Sequence, residues 1–241
     1  MIETRVGSEK ETQRRVEIPV KLEREELFRS FKKQENTRAM MEKYMDEIIL
    51  VALPVVRAKG LYRVSCIGAR DSDGVEIDGV RFTSKVLSQS LSNIDTVFPY
   101  IVTCGKELDE LPVSPKDHLR YYCLDIIKMN VLFQASKYFM DYLKEKYALK
   151  EITHLHPGEF ADWPIEQQEQ LFSLFDNTEE AIGVKLSSTK TIQLIKSGSG
   201  ILFSNGTSFE SCQLCLQAKC PGRRAAYSPK LAKQFGIKTK K

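Results

Sequence analysis

The segment VEIDGVRF, residues 75–82, constrains the fold of this chain more than any other stretch. Apolar and polar residues alternate on both sides of the pair Asp78-Gly79. An Asp-Gly pair between two alternating runs is a strong signal for a two-residue hairpin turn. The sequence therefore predicts an antiparallel pair of strands here, and a sheet built at least partly from antiparallel neighbours.

Two long helical patterns accompany the strand-like runs. The first covers residues 36–56, where apolar residues recur at three- and four-residue spacing until Pro54. The second runs from Ser114 to about Tyr147, because Ser suits an N-cap and the following Pro suits the first helical position. The residues predicted for its inner face are Leu119, Tyr122, Ile126, Val131, Phe139 and Leu143.

The remaining elements are shorter. Strands are predicted around AIGVKL, residues 181–186, and GILF, residues 200–203, with a tight turn at KSGSG, residues 196–200. No Pro/Gly/Ser-rich linker and no internal repeat divides the chain. We therefore predict one α+β domain with a mainly antiparallel sheet flanked by helices. It would cover residues 36–210, after a charged segment 1–35 and before a cysteine-containing appendage with a basic tail, 211–241.

Composition excludes several classes of protein. The chain has 241 residues, 42% of them hydrophobic, and a formal net charge of +4 from 36 basic and 32 acidic residues. This small excess argues against a broad nucleic-acid groove. No apolar run approaches the roughly 18 residues of a membrane span, and the charged N-terminus has no secretory signal pattern. We therefore expect a cytoplasmic protein that does not enter a membrane.

Three cysteines lie within nine residues in SCQLCLQAKC, which spans residues 211–220. In a reducing compartment, Cys212, Cys215 and Cys220 favour a metal or cluster site over structural disulfides, and soft sulfur ligands suit zinc or iron–sulfur centres. Reactive thiols and packed thiols are the alternatives. A fourth ligand would have to be another cysteine, a histidine, a second subunit or an open position.

Two other stretches offer weaker chemistry. In HLHPGEF, residues 154–160, the two histidines are spaced to point to one side of an extended chain, and Pro157-Gly158 would let backbone amides approach a ligand. The alternative is an ordinary turn with two surface histidines. In KSGSG the spacing of a nucleotide-binding P-loop is absent, so a tight turn is the simpler interpretation.

The order of these elements resembles the C-terminal activation domain of cobalamin-dependent methionine synthase and its free-standing relatives. The resemblance rests on HLHPGEFADWP, a Gln-rich helix and IGVKLSSTKTIQLIKSGSGILF, and covers roughly residues 40–224. It implies reductive remethylation of a corrinoid, with S-adenosylmethionine as the methyl donor and cobalamin carried by a partner methyltransferase. The residues it implies for the donor site are His154, Pro157, Gly158 and Glu159, and those for a corrinoid-facing turn are Ser197, Ser199 and Gly200.

The chain departs from the family loop at two positions. His154 stands where the family has Arg, and Glu159 stands where it has Tyr. A guanidinium can hold a carboxylate with two hydrogen bonds, whereas each histidine nitrogen offers at most one. A second interpretation is therefore a non-catalytic module that docks on corrinoid proteins without the donor. A third, ranked lowest, is a zinc-containing nucleic-acid-binding protein.

Overall fold

We describe a computed structural model of the chain, which places residues 13–28, 38–193, 196–204, 209–220 and 223–237. The strands are β1 (Arg14–Glu17), β2 (Lys59–Tyr62), β3 (Ser65–Asp71), β4 (Gly74–Ile77), β5 (Val80–Thr83), β6 (Thr96–Thr103), β7 (Thr153–Leu155) and β8 (Ser197–Phe203). The helices are α1 (Arg24–Phe28), α2 (Arg38–Ala52), α3 (Lys85–Ser90), α4 (His118–Lys146), α5 (Gln168–Ser173), α6 (Thr178–Ile182) and α7 (Pro229–Gln234).

Strand β6 is the centre of the sheet. One of its edges pairs with β2 over residues 100–103 and with β3 over residues 96–97. Its other edge pairs with β8, which in turn pairs with β7. The sheet continues through β1 beyond β2, and through β4 and β5 beyond β3. Every one of these pairings is antiparallel, so the predicted α+β class with an antiparallel sheet is confirmed.

The sheet separates two hydrophobic cores because successive side chains of a strand point to opposite faces. From β6, Tyr100 and Val102 enter the core that α2 and α4 cover. Val97 and Ile101 enter the opposite core, which α3, α5 and α6 cover. The helices thus flank the sheet on both sides, as the sequence predicted.

The hairpin at residues 74–83 forms in the predicted register. Ile77 pairs with Val80 across the turn. Asp78 and Gly79 have φ angles of 47° and 83°, in the left-handed region that a two-residue hairpin turn requires. The Asp-Gly pair therefore forms the turn between β4 and β5, as predicted.

Two predictions for residues 181–200 are wrong. The start of AIGVKL belongs to α6, because the side chain of Asn177 accepts a hydrogen bond from the Glu180 N–H at 3.1 Å and Gly183, at φ 78°, ends the helix. KSGSG is not a turn, since its last four residues begin strand β8.

Helix α4 also differs from its prediction in its start and in its buried face. It begins at His118, where Asp117 accepts from the Arg120 N–H at 3.2 Å, so Ser114 is not the N-cap. Tyr122 is 43% exposed, whereas Lys128 is buried and pairs with Asp109. A charged residue at a buried position interrupts the apolar spacing from which the buried face of a helix is predicted. The buried residues of α4 are Cys123, Leu124, Ile127, Lys128, Val131, Ala135, Phe139 and Leu143.

The two segments predicted to flank the main domain both contribute residues to the fold, in the parts that the structure places. In the segment 1–35, β1 extends the sheet and Leu27 of α1 is buried. In the segment 211–241, Leu214 and Phe235 enter the second core. Residues 1–12, 29–37, 221–222 and 238–241 lie outside the described residues, and the division into three segments stays a prediction. Among the described helices, none is both long and apolar enough to cross a bilayer.

Candidate functional site

The loop after β7 is a compact turn. The Glu159 N–H donates to the His156 carbonyl at 3.2 Å, with Pro157 second and Gly158 third in the turn. Gly158 has φ 85°, the left-handed value that favours glycine in a type II turn. Its own N–H donates to the Trp163 carbonyl at 2.7 Å. Both amides are therefore used inside the loop, contrary to the expectation that they face a ligand.

His154 and His156 lie side by side at the edge of the sheet, as their spacing predicted. Their ring centroids are 4.8 Å apart. Nδ1 of His156 donates to the Ser199 carbonyl at 2.6 Å, which fixes this ring against β8. Nε2 of His154 accepts a hydrogen bond from Nη2 of Arg224, which comes from the C-terminal segment. Arg224 also pairs with Glu210, with 3.0 Å between Nε and Oε2.

His154 is held in its neutral form. Burial, then the neighbouring His156 and the positive charge of Arg224, lower the pKa of His154 to about 2. A neutral ring can accept the hydrogen bond from Arg224, whereas an imidazolium has no free acceptor. The positive charge at this position is thus that of Arg224 and not of the histidine.

A cavity of about 590 Å³ opens beside the loop. Glu159 lines it, and the Oε2 atom of Glu159 is buried without a hydrogen-bond partner among the described residues. The opposite parts of the lining come from α4, including Phe133 and Lys137, and from the C-terminal segment, including Arg224. A smaller cavity of about 160 Å³, lined by His154 and Arg224 among others, lies next to it. Arg224 therefore borders both spaces.

All three cysteines of the C-terminal segment line the larger cavity. Residues Ser211–Gln213 form a 3₁₀ turn, and the Cys215 N–H donates to the Cys212 carbonyl at 3.3 Å. The guanidinium of Arg223 donates to the carbonyls of Cys212 and Cys215, both at 2.8 Å. One arginine thus holds the backbone of this segment in shape.

The thiols are not gathered around one point. The described residues contain no group of three His, Cys, Asp or Glu side chains arranged to hold a metal ion. Burial raises the pKa of Cys104 to about 12 and that of Cys123 to about 11, which keeps these two thiols protonated and unreactive. The zinc or cluster assignment of Cys212, Cys215 and Cys220 stays a prediction.

Ser197, Ser199 and Gly200 occupy the start of β8 and not a turn. Ser199 is buried, and its hydroxyl accepts from Nε2 of Gln168 at 2.7 Å. A Cβ added at Gly200 would lie 2.5 Å from the Leu155 carbonyl oxygen, so only glycine allows β7 and β8 to pair this closely. The contact of these residues with a corrinoid stays a prediction.

Sequence reasoning did not place Arg224 or Glu210 beside the loop of residues 154–160. Both residues are far from His154 along the chain. No local sequence pattern predicts that this part of the C-terminal segment packs against β7. The available signal was the pair of arginines that follows Cys220, which the sequence analysis did not place in space.

The fold resembles that of a solved structure. The chain is similar to a structure described as the MetH reactivation domain bound to AdoHcy, with a TM-score of 0.59 and 16% sequence identity. The match covers 83% of this chain and 80% of that one. No protein-family model matches the chain, and no curated protein matches it. The similarity therefore establishes the fold.

Proposed function

We propose that this protein assists a cobalamin-dependent methyltransferase by binding S-adenosylmethionine and presenting it to a corrinoid carried by a partner protein. The observation that carries the proposal is the fold shared with a reactivation domain that was solved with AdoHcy bound. Of the four donor residues expected from the family resemblance, Glu159 lines the larger of two adjoining cavities and His154 lines the smaller.

Arg224 supports a donor site despite the loss of the loop arginine. A guanidinium has five N–H groups. Within the described part of the chain, Arg224 uses Nε for Glu210 and Nη2 for His154. The N–H groups of Nη1 remain for a ligand, and 43% of the side chain is exposed. We propose that Arg224 supplies the positive charge that receives the carboxylate of the donor.

Glu159 has a complementary role in this proposal. Its carboxylate lines the larger cavity, and one oxygen is buried without a partner among the described residues. A buried unpaired carboxylate oxygen is costly, so a ligand that brings positive charge or hydrogen-bond donors would stabilise it. The sulfonium and the α-amino group of S-adenosylmethionine both have this character.

The reaction proposed for the assembled complex is a methyl transfer. An external reductant gives one electron to cob(II)alamin on the partner, and the methyl group then passes from the sulfonium to cobalt, which leaves S-adenosylhomocysteine. The share of this chain is to hold the donor and the partner together, because positioning two reactants removes a bimolecular search.

Calorimetric titration with S-adenosylmethionine tests the donor site. We expect one site per chain, and a loss of affinity of about tenfold or more for Arg224→Gln, which corresponds to at least one charge-assisted hydrogen bond. Lys219→Gln is the matched control, because it removes a nearby positive charge that does not line the cavity. No binding by the unaltered protein would contradict the donor site.

The docking interpretation remains the second candidate. The amides of the donor loop are used internally, which favours a module that keeps the fold without the donor. Binding to a corrinoid protein that does not change when S-adenosylmethionine is added would select it.

A further inference from the structure

Cys212 and Cys215 are the first and last residues of a four-residue turn. The Cys215 N–H donates to the Cys212 carbonyl at 3.3 Å, and Leu214 has φ −99° and ψ −15°, close to the third residue of a type I turn. The Cα atoms at the ends of such a turn lie less than about 7 Å apart. Disulfide-bonded cysteines have their Cα atoms roughly 4.4–6.8 Å apart. The backbone therefore brings the two residues into the range that a disulfide bond can span.

Contacts on both sides hold this turn in place. Leu214, which lies between the two cysteines, is buried in the second core. The Gln213 carbonyl accepts a hydrogen bond from the Ser228 N–H at 2.8 Å. The Arg223 guanidinium donates to the carbonyls of both cysteines at 2.8 Å. Because these contacts fix the backbone, the two cysteines stay close together in the folded chain.

Both thiols are accessible from the larger cavity. Cys212 and Cys215 are partly exposed and line this cavity, whereas Cys104 and Cys123 are buried. The cavity is also lined by three basic side chains and one acidic side chain. Reactive cysteines occur in partly exposed, positively charged surroundings, and buried cysteines are inert. The surroundings of Cys212 and Cys215 are therefore those of reactive thiols.

Cys212 is placed to be the attacking thiol of the pair. The backbone N–H of Arg224 is directed at Sγ of Cys212, with 3.5 Å between nitrogen and sulfur. The thiolate is the nucleophile in thiol–disulfide exchange, and an N–H donor at sulfur can stabilise its negative charge. In the part of the chain that the structure describes, no N–H group makes this contact with Cys215.

We propose that Cys212 and Cys215 are a redox-active pair that exchanges with small-molecule disulfides. The Cys212 thiolate attacks one sulfur of the small disulfide, which forms a mixed disulfide and releases one thiolate. Cys215 then loses its proton to water, and its thiolate attacks Sγ of Cys212, which forms the protein disulfide and releases the second thiolate. The protein loses two electrons and two protons, and the small disulfide gains both and becomes two thiols. This activity goes beyond the proposed function and needs neither S-adenosylmethionine nor a corrinoid.

Oxidation of the full, reduced chain with glutathione disulfide tests this proposal. The reaction is stopped with acid, the remaining thiols are alkylated in denaturant, and trypsin then cuts after Lys219, which separates Cys220 from the other two cysteines. We expect the peptide of residues 197–219 to escape alkylation at both cysteines and to weigh about 2 Da less than its dithiol form. Dithiothreitol should restore both thiols. Cys220→Ser is the matched control, because it removes a thiol of the same cavity and should oxidise at the same rate.

Two variants separate the roles of the two cysteines. Cys215→Ser should accumulate a mixed disulfide between Cys212 and glutathione, because the second attack is missing. Cys212→Ser should form its mixed disulfide severalfold more slowly, and equal rates would contradict Cys212 as the attacking thiol.

The unaltered chain gives a result that does not depend on the folding of a variant. A bridge from either cysteine to Cys220, or two separate mixed disulfides at Cys212 and Cys215, would overturn the proposal. Thiols that stay unreactive, whether free or protected by bound zinc or iron, would overturn it as well.

Discussion

At the scale of single residues, the neutral state of His154 makes the stability of the protein depend on pH. The unfolded chain takes up a proton at His154 near pH 6.5, whereas the folded chain, with a pKa of about 2, does not. The unfolded state therefore binds more protons below pH 6.5, and stability falls as the pH falls. The slope from this one residue approaches about 1.4 kcal/mol per pH unit.

Urea unfolding at pH 7.5 and 5.5 measures this effect. We expect His154→Gln to reduce the loss of stability between the two pH values, because the group that titrates only in the unfolded state is gone. His118→Gln, at the exposed start of α4, should leave the pH dependence of the unaltered protein in place. Equal pH dependence in all three proteins would contradict the neutral assignment.

The two glycines at the start of β8 should respond differently to alanine. At Gly200 the added Cβ would lie 2.5 Å from the Leu155 carbonyl and 2.8 Å from Nδ1 of His156. We expect Gly200→Ala to cost about 1–3 kcal/mol, as overpacking does. At Gly198 nothing lies within 4 Å of the added atom, so Gly198→Ala should be neutral or slightly stabilising. Thermal unfolding compares them, and equal effects would contradict the close pairing of β7 and β8.

At the scale of elements, the start of α4 offers a direct test of a corrected assignment. Asp117 accepts from the N–H of Arg120, whereas Ser114 accepts from Lys116 within the preceding loop. Loss of an N-cap side chain costs about 1 kcal/mol. We expect Asp117→Ala to lower the free energy of unfolding by about that amount, and Ser114→Ala to change it much less. The reverse order would restore Ser114 as the cap.

Local signals explain which elements the sequence could predict. The hairpin depends on neighbouring residues, and its Asp78-Gly79 turn therefore predicted it correctly. Helix α6 also had a local signal, since Asn177 starts it and Gly183 ends it, but its five residues are too few to show a helical period. Residues 200–203 were predicted as a strand, but the start of β8 was misread as a turn because its glycines favour turns in general. Gly200 is required here by the approach of β7, which no local pattern contains.

At the scale of the whole molecule, the candidate site depends on a contact between distant parts of the chain. The sequence predicted that His154 and His156 point to the same side of an extended segment, and the two rings lie 4.8 Å apart, whereas the binding role of His154 and Glu159 stays a prediction. The arginine that contacts His154 comes from position 224, after a path around β8 and the cysteine segment. Because this contact arises from tertiary packing, no local sequence pattern predicts that the positive charge beside His154 comes from Arg224.

The C-terminal segment connects the loop of residues 154–160 with the three cysteines. Arg224 contacts His154 through its side chain and Cys212 through its backbone N–H. The three cysteines of this segment and Glu159 line the same cavity.

The most direct test of the proposed function is a methyl-transfer assay on a corrinoid partner. The cobalamin-binding part of a methionine synthase, loaded with cob(II)alamin, is incubated anaerobically with a chemical reductant and S-adenosylmethionine carrying a labelled methyl group. We predict that adding this protein increases the formation of labelled methylcobalamin, and that Arg224→Gln reduces the increase. Formation of methylcobalamin at the same rate with and without the protein would contradict the account.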